Sequence, residues 1–332
     1  MTSGQRRLSA VATAAIVVAL SAACGGTNTS ANPPAGENSA AATQGSELSG
    51  SVKIDGSSTV APLSTAAAEL FAEQQPKVNV TVATSGTGGG FEKFCNGETD
   101  ISDASRPIKD EEKAACDAKG ITTAQLPVAV DALTVVVNKE NTWAKCLTTD
   151  QLKKMWEPAA EGKVMSWKDI DPSFPDEPLK LFGPGSDSGT FDYFTDEING
   201  EEGATRKDYS PSEDDNIIVQ GVSGSKGGLG YFGYTYYEEN TDKLNAVQID
   251  SGNGCVAPSK ETAQDGSYTP LARQIFIYPS VEALKRPEVA AFLDFYVANI
   301  GKIAEDAQYI PLNSTQEAEL KSAYEQLKSQ AG

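Results

Sequence analysis

Three segments of this chain share one arrangement of hydrophobic and polar positions. In the first, Val52 and Ile54 alternate with polar residues, and apolar side chains then recur every three or four positions at Leu63, Ala67 and Phe71. Alternation is typical of a half-buried strand, and a spacing of three and four is typical of one face of a helix. The segment is therefore predicted to form a strand, a short loop of sequence GSST, and a helix.

The second segment repeats this arrangement with more glycine. Its residues VNVTV place Val78, Val80 and Val82 on one face of a predicted strand, and an apolar stripe starts at Phe91. Residues 85–90 between them, SGTGGG, are predicted to form a glycine-rich loop. This loop lacks the Gly-Lys-Ser/Thr of a nucleoside-triphosphate loop, and phenylalanine stands where a dinucleotide-binding fingerprint has its third glycine.

The third segment has the same order of elements around the sequence GPGSDSGTFDYF. A predicted strand covers residues 179–182, and small residues follow as far as Thr190. Phe191, Phe194 and Ile198 then mark one face of a predicted helix. All three segments therefore place a loop of small polar residues immediately before the start of a helix.

Each of these loops presents hydroxyl groups and unpaired backbone N–H groups at a helix start. The first four N–H groups of a helix have no partner within it, and the helix dipole adds partial positive charge there. Such ends bind anions, and glycine lets the backbone approach a ligand closely. Taken singly, each loop also fits an ordinary capped connection between strand and helix. Three loops with the same layout predict one shared site for a tetrahedral oxyanion.

Composition argues against several other kinds of site. The chain has 332 residues, a formal net charge of −19 and no histidine. An acidic chain is poorly suited to nucleic acid, whose binding rests on Lys and Arg. Without histidine, a secreted hydrolase would have to use Ser188 or Ser58 as its nucleophile, with Lys226 as the candidate base of a Ser–Lys pair. No metal or cofactor is predicted, because no cysteine pair has zinc-ligand spacing.

The first residues are predicted to direct export. Arg6 and Arg7 precede a small apolar run that ends at LSAACGG, which is typical of a secretory signal over residues 1–23. Cys24 resembles the lipidated cysteine of bacterial lipoproteins, although serine stands three positions before it, where such signals usually carry leucine. Residues 24–48 hold almost no large apolar side chains and are predicted to be a disordered tether. No second apolar run reaches membrane-spanning length.

Four further cysteines predict two disulfide bonds. An even number of cysteines in an exported chain indicates a disulfide framework, and four of them allow three connectivities. Cys95 and Cys116 flank a short local segment, which favours that pair. Cys146 and Cys255 then remain as the second pair.

Together these residues resemble the PstS family, the phosphate-binding proteins of bacterial phosphate ABC transporters. The resemblance spans about residues 51–312 and rests on four motifs in order: DGSSTVAPL, TSGTGGGFEKFCNGETDISDASRPI, GPGSDSGTFDYF and GGLGYFGY. It implies an α/β, two-domain fold of the type II periplasmic-binding-protein class (a Venus flytrap), with the ligand in the interdomain cleft. Domain 1 is expected to comprise residues 49–132 and 273–330, and domain 2 residues 133–272. The runs VAVDALTVVVN and PLARQIFIYP resemble the crossovers between them.

The resemblance also implies which residues contact the anion. The expected contacts are hydroxyl and backbone groups of the three loops with nearby charged residues, namely Ser58, Thr59, Val60, Thr87, Ser105, Arg106, Asp187, Ser188, Gly189 and Thr190. The sequence departs from the family at two positions. Pro184 stands where the family carries an arginine, and Ser105 stands where it carries a carboxylate. Arg106 can supply the missing positive charge, and it is equally well suited to a surface ion pair.

The expected function is binding without catalysis. The resemblance implies a lipid-anchored monomer on the outer face of the cytoplasmic membrane that captures inorganic phosphate and delivers it to an ABC-transporter permease. Sulfate, molybdate or tungstate is the alternative ligand on the same fold. Phosphate near neutral pH carries a proton and sulfate carries none, so an ionised cleft carboxylate would distinguish them, with Asp187 expected ahead of Asp103. Closure about the crossovers is expected, because the three loops fall in both domains.

Overall fold

The computed structural model describes residues 48–186 and 188–332 of the chain. The predicted signal peptide, Cys24, nearly all of the predicted tether, and Asp187 lie outside these residues. The described residues belong to one compact unit. Its strands are β1 (Gly50–Gly56), β2 (Val78–Ala83), β3 (Ile101–Ala104), β4 (Leu126–Asn138), β5 (Cys146–Thr148), β6 (Lys180–Gly183), β7 (Ser210–Pro211), β8 (Gly228–Gly233), β9 (Leu244–Ala246), β10 (Gln248–Asp250), β11 (Cys255–Val256) and β12 (Ala272–Pro279).

The helices alternate with the strands along most of the described chain. A 3₁₀ turn covers Pro158–Ala160, and a π-helical segment, Thr195–Asn199, continues the sixth helix. None of the helices described here is both long and apolar enough to span a membrane. The α-helices are α1 (Ala61–Ala72), α2 (Gly86–Cys95), α3 (Asp110–Ala118), α4 (Thr149–Trp156), α5 (Trp167–Ile170), α6 (Gly189–Phe194), α7 (Asp215–Ser223), α8 (Tyr234–Glu239), α9 (Lys260–Gln264), α10 (Val281–Leu284), α11 (Pro287–Ala298), α12 (Ile300–Asp306) and α13 (Ser314–Lys328).

One large sheet runs through the molecule in the order β2-β1-β3-β12-β4-β8-β6-β7, with β9 also paired to β4. β1 is parallel to β2 and β3, and β6 is parallel to β7 and β8. The two runs that resemble crossovers form the central antiparallel strands β4 and β12. Residues 126–132 of β4 pair with β12, and residues 133–137 pair with β8. The strand β4 therefore passes from one half of the sheet to the other.

The buried apolar side chains form separate cores in the two halves. The largest cluster draws on residues 52–132 and 275–327, with Ala263 of α9 added to it. A smaller cluster around the ring of Phe91 lies in the same half. The other two clusters lie wholly within residues 133–271. We call the two halves the first and the second lobe. The predicted α/β architecture is confirmed, and the predicted domain boundaries, which these cores support, stay a prediction.

The three predicted strand–loop–helix units are present, and the second differs from its prediction. Helix α2 already begins at Gly86, so most of the residues predicted as a glycine-rich loop are helical. Gly90 serves close packing of this helix against β1. A Cβ atom on Gly90 would lie 2.5 Å from the Cα of Gly56, so glycine at this position lets α2 pack directly against the end of β1.

Both predicted disulfide bonds are confirmed. Cys95 and Cys116 are joined with an S–S distance of 1.96 Å, which connects α2 to α3 in the first lobe. Cys146 and Cys255 are joined with an S–S distance of 2.00 Å, which connects β5 to β11 in the second lobe. Each bond therefore lies within one lobe and leaves the connection between the lobes free of cross-links.

Candidate anion-binding cleft

A cleft of about 840 Å³ lies where the parallel strands of both lobes end. Loops that follow parallel strands collect at the carboxyl edge of a sheet, which is where α/β proteins bind ligands. The loop after β1, the start of α2, the segment after β3 and the start of α6 all reach this cleft. The predicted site residues that line it are Ser58, Thr59, Thr87, Ser105, Arg106 and Gly189.

The remaining predicted residues of the first and third loops have other surroundings. Val60 is fully buried, and its N–H group donates to the Ser57 carbonyl at 3.2 Å. Ser188 caps α6, because its Oγ accepts a hydrogen bond of 3.2 Å from the Thr190 N–H. Thr190 lines a neighbouring cavity of about 230 Å³. Asp187 lies outside the described residues.

The first and third loops touch each other across the cleft. A Cβ atom on Gly189 would lie 2.6 Å from the Thr59 hydroxyl oxygen and 3.1 Å from the Thr59 backbone nitrogen. Only a residue without a side chain allows this approach. The starts of α1 and α6, which belong to different lobes, are thereby brought side by side, so both can face one small anion.

A pair of hydroxyl groups joins the second loop to the end of β3. Thr87 Oγ1 lies 3.0 Å from Ser105 Oγ, and the Ser105 N–H donates to Thr87 Oγ1 at 3.2 Å. Thr87 stands in the first turn of α2, where backbone N–H groups have no partner within the helix. This corner of the cleft therefore combines two hydroxyl groups with a helix start.

Arg106 both lines the cleft and forms an ion pair. Its Nη1 and Nη2 atoms donate to the two carboxylate oxygens of Glu112 at 2.9 and 2.8 Å. The bond to Glu112 raises the pKa of Arg106, and, against the effect of burial, the same bond lowers the pKa of Glu112. The guanidinium also lies 6.0 Å from the centroid of the Phe91 ring. The expected ion pair is therefore present, and Glu112 orients a cation that borders the cleft. The contact of Arg106 with an anion stays a prediction.

Asp103 is not a cleft residue. It is fully buried at the end of β3, where one carboxylate oxygen accepts a 2.9 Å hydrogen bond from Ser64 and the other has no partner. Burial, with the nearby charge of Asp55, raises the pKa of Asp103 to about 8. Asp55 itself is held by Lys93 at 2.5 Å and by Ser85. The expectation that Asp103 accepts a ligand proton conflicts with this burial, because the carboxyl faces Ser64 of α1 and does not line the cleft.

The cleft also has an acidic wall and a second arginine, which were not among the residues predicted from the sequence. The wall comes from α6 and the residues after it, and burial together with Glu202 raises the pKa of its first member, Asp192, to about 6. Arg273 borders the cleft from β12. A single cation in the largely apolar run PLARQIFIYP was the signal that could have identified it. The carboxylates of the wall are Asp192, Asp196, Glu197 and Glu202.

The structure gives no support to the hydrolase alternative. Lys226 Nζ lies 3.7 Å from a carboxylate oxygen of Glu177, and Lys226 is not among the residues that line the cleft. It therefore does not pair with Ser188 or Ser58 as a base. Among the described residues, no group of three or more cysteine and acidic side chains is arranged to hold a metal ion.

Comparison with known families gives a match over most of the chain. The PBP superfamily domain matches residues 39–299. The chain is 52% identical over 262 residues to the protein SphX of Synechococcus elongatus, covering 79% of this chain and 77% of that protein. It is 43% identical over 266 residues to the phosphate-binding protein PstS of Staphylococcus haemolyticus, covering 80% and 82%.

Comparison with solved structures points the same way. The crystal structure of a possible phosphate binding protein from Planctomyces limnophilus superposes with a TM-score of 0.80 at 45% identity, covering 84% of this chain and 99% of that one. The ABC-type phosphate transport receptor from Vibrio cholerae superposes with a TM-score of 0.64 at 20% identity, covering 79% and 99%. At that identity the second match supports the fold alone, which is the predicted type II fold.

Proposed function

Because this chain belongs to the PBP superfamily, and within it to the family of the PstS and SphX proteins, we propose that it captures inorganic phosphate and delivers it to the permease of a phosphate ABC transporter. One observation carries the proposal. Helix starts from both lobes converge on a single cleft that also contains the guanidinium of Arg106. Helix starts and arginine are the groups that bind phosphate in proteins.

The proposed contacts are those in which a group of this cleft donates to the anion. Thr59, Thr87 and Ser105 supply hydroxyl groups, and Gly189 supplies a backbone N–H group at the first turn of α6. Arg106 supplies charge in place of the arginine that Pro184 replaces. Ser58, Ser188 and Thr190 complete the proposed set through hydroxyl groups at the same helix starts. Val60 belongs to the first loop, but its N–H group already donates to the Ser57 carbonyl, so we propose that it supports the loop and does not donate to the anion. No group in this set needs to lose a proton, so the protein binds phosphate without catalysing a reaction.

The acidic chain and the anionic ligand are compatible. A net charge of −19 repels phosphate at long range, but salt screens such charges beyond about 10 Å. Inside the cleft, the N–H groups and Arg106 act at contact distance, where screening is weak. Local donors therefore determine whether the anion binds, and the overall charge mainly affects how fast it arrives.

Discrimination against sulfate is the finer part of the proposal. A carboxylate that accepts the proton of phosphate repels sulfate, which has no proton to donate. We keep Asp187 as the proposed acceptor and add Asp192, which lines the cleft one turn into α6. Replacing the acceptor by asparagine should weaken phosphate binding and relax the exclusion of sulfate. If neither variant changes the ratio of the two affinities in calorimetric titrations, this mechanism is wrong.

The test of the ligand is a titration of wild-type protein with phosphate, sulfate and molybdate, followed calorimetrically and by thermal unfolding. A ligand that binds only the folded state raises its apparent stability. Phosphate alone should bind tightly. Arg106→Gln should weaken phosphate binding about 10- to 100-fold, since a hydrogen bond to a charged group contributes about 1.5–3 kcal/mol.

Arg286→Gln is the matched control for that variant. Arg286 pairs with Asp100 and does not line the cleft, so its loss should leave the affinity unchanged. If the wild-type protein binds sulfate or molybdate tightly and does not respond to phosphate, its ligand is the alternative anion and not phosphate.

The setting of the protein is also part of the proposal. We place it outside the cytoplasmic membrane as a monomer, anchored through lipid on Cys24 after removal of residues 1–23, with residues 24–48 as the tether. We also propose that the chain is divided into two domains at residues 132 and 272. Export is supported by the disulfide bonds, which form in oxidising compartments. Mass spectrometry of the membrane fraction should find the lipid on wild-type protein and not on a Cys24→Ala variant.

A further inference from the structure

One arginine of the cleft belongs to none of the anion loops. Arg273 lies on β12, directly opposite Asp131 of β4 in the antiparallel register. Its Nε atom is 3.6 Å from Asp131 Oδ2, and Asp131 is only 5% exposed. The two groups are close enough for an ion pair, and the charge of Arg273 opposes the burial that raises the pKa of Asp131. The pair links β12 to β4, the two strands that join the lobes.

The guanidinium of Arg273 also contacts the second lobe. Its Cζ atom is 3.5 Å from the centroid of the Tyr193 ring. Tyr193 is buried, and its hydroxyl group donates a 2.5 Å hydrogen bond to the carbonyl of Pro270, just before β12. A guanidinium over an aromatic face is attracted by the negative charge of the ring face, and it also stacks on the ring plane. The ring is thus held by the hydrogen bond at its edge and by the cation on its face.

Tyr193 is well placed to transmit this contact to the anion site. It lies four residues after Gly189 in α6, which is about one helical turn. Helix α6 has only six residues, so a side chain fixed one turn along it fixes the direction of its N–H groups at the start. The charge of Arg273 acts on this helix as well, since it opposes the burial that raises the pKa of Asp192 and Glu197.

We propose that Arg273 is a positioning residue for anion binding: paired with Asp131 and stacked on Tyr193, it holds the start of α6 against the loops of the first lobe. The inference rests on the proposed function and deepens it. Arg273 acts on the anion through Tyr193 and through the closed arrangement of the lobes. It does not act as a direct ligand.

The test is a double-mutant cycle on phosphate binding, measured by calorimetric titration. Arg273→Met and Tyr193→Leu should each weaken binding roughly 10- to 30-fold, the upper value being that of a desolvated cation–π contact. The double variant should be no more than about twofold weaker than either single variant, because both remove the same contact. Tyr193→Phe keeps the ring face and should stay within about threefold of wild type.

Matched controls separate this effect from a general loss of structure. Arg286→Met removes another paired arginine outside the cleft and should leave the affinity unchanged. Arg273→Lys keeps the charge but loses the planar stack, and it should weaken binding several-fold. If Arg273→Met does not fold, the same comparison is made with three other single variants, namely Arg273→Lys, Tyr193→Phe and Tyr193→Leu.

Small-angle scattering at saturating phosphate gives a second readout. The saturated Arg273→Met and Tyr193→Leu proteins should keep a larger radius of gyration than saturated wild type. The losses of affinity in the two single variants could instead multiply in the double variant, or saturated Arg273→Met could be as compact as wild type. Either result would identify Arg273 as a direct ligand and overturn the inference. Wild-type affinity in Arg273→Met would overturn it as well and leave the proposed function intact. Failure of the wild-type protein to bind phosphate would remove both.

Discussion

Asp103 and Arg106 stand three positions apart, and their surroundings give them opposite electrostatic roles. Asp103 is fully buried with one hydrogen-bonding partner, and its second carboxylate oxygen has none. Arg106 keeps about a third of its side chain exposed, and Glu112 binds it through two hydrogen bonds. Burial without a neighbouring positive charge favours the neutral form of a carboxyl group, and a paired guanidinium stays charged. At neutral pH Asp103 therefore adds no full negative charge at the end of β3, and the charged residues of the following segment that line the cleft are Arg106 and Lys109.

The protonation of Asp103 should appear in the pH dependence of stability. Its pKa is raised in the folded protein to about 8. The folded state then retains a proton that the unfolded state loses near pH 4. The contribution of Asp103 to the free energy of unfolding is therefore fully present below about pH 4 and is lost as the pH rises towards 8, by up to about 1.4 kcal/mol per pH unit.

Asp103→Asn tests this expectation. Asparagine still accepts the hydrogen bond from Ser64 and cannot ionise. The variant should gain stability relative to wild type as the pH rises from about 4 to 8, as measured by urea unfolding at intervals of pH. The other titrating groups are common to both proteins and cancel in the difference. A difference that does not vary with pH would show that Asp103 is ionised in the folded state.

At the scale of elements, the position of α2 depends on glycine packing. A Cβ atom on Gly90 would lie 2.5 Å from the Cα of Gly56 and 3.0 Å from the carbonyl oxygen of Asp55. Gly90→Ala should therefore push α2 away from β1 and destabilise the protein by about 1–3 kcal/mol, which is typical of overpacking. The measurement is the midpoint of urea unfolding.

Gly88→Ala is the matched control for this helix. The nearest atoms to a Cβ on Gly88 are 4.0 Å away, on Arg106 and Glu112. Alanine there should leave the stability unchanged or raise it by up to about 1 kcal/mol, since alanine favours helix over glycine. Equal effects of the two substitutions would mean that the contact between α2 and β1 is not tight.

The sequence predicted elements well where the signal is local. The strands at residues 78–82 and 179–182 were placed within one residue, because alternation depends on neighbouring positions alone. The predicted start of α2 was wrong, because glycines carry no apolar stripe to mark a helix.

Arg273 was missed for a different reason. Its partners Asp131 and Tyr193 are far from it in sequence, and only the antiparallel pairing of β4 with β12 and the docking of α6 bring the three together.

At the scale of the whole molecule, the separate cores and shared strands favour hinge motion. Each lobe has its own buried clusters, and β4 and β12 pass between them. The disulfide bonds lie within the lobes, so they do not oppose a change in the angle between them. An anion that contacts loops of both lobes binds the closed arrangement better than an open one, and it shifts the population towards closure.

The approach of Gly189 to Thr59 provides a test of that closure. A side chain on Gly189 would collide with the hydroxyl group of Thr59 and crowd its backbone nitrogen, at 2.6 and 3.1 Å. Gly189→Ala should therefore separate the two loops and lengthen the hydrogen bonds to the anion, which we expect to weaken phosphate binding at least tenfold. The contact lies between the lobes and outside both cores, so the midpoint of urea unfolding without phosphate should stay close to that of wild type. Gly301→Ala, with no atom within 4 Å of the added Cβ, should leave the affinity unchanged, and it should leave the stability unchanged or raise it by up to about 1 kcal/mol because Gly301 is helical. Small-angle scattering should show that saturating phosphate contracts the wild-type protein more than the Gly189→Ala variant. Equal contraction and equal affinity would mean that the phosphate-bound protein does not require the contact between Thr59 and Gly189.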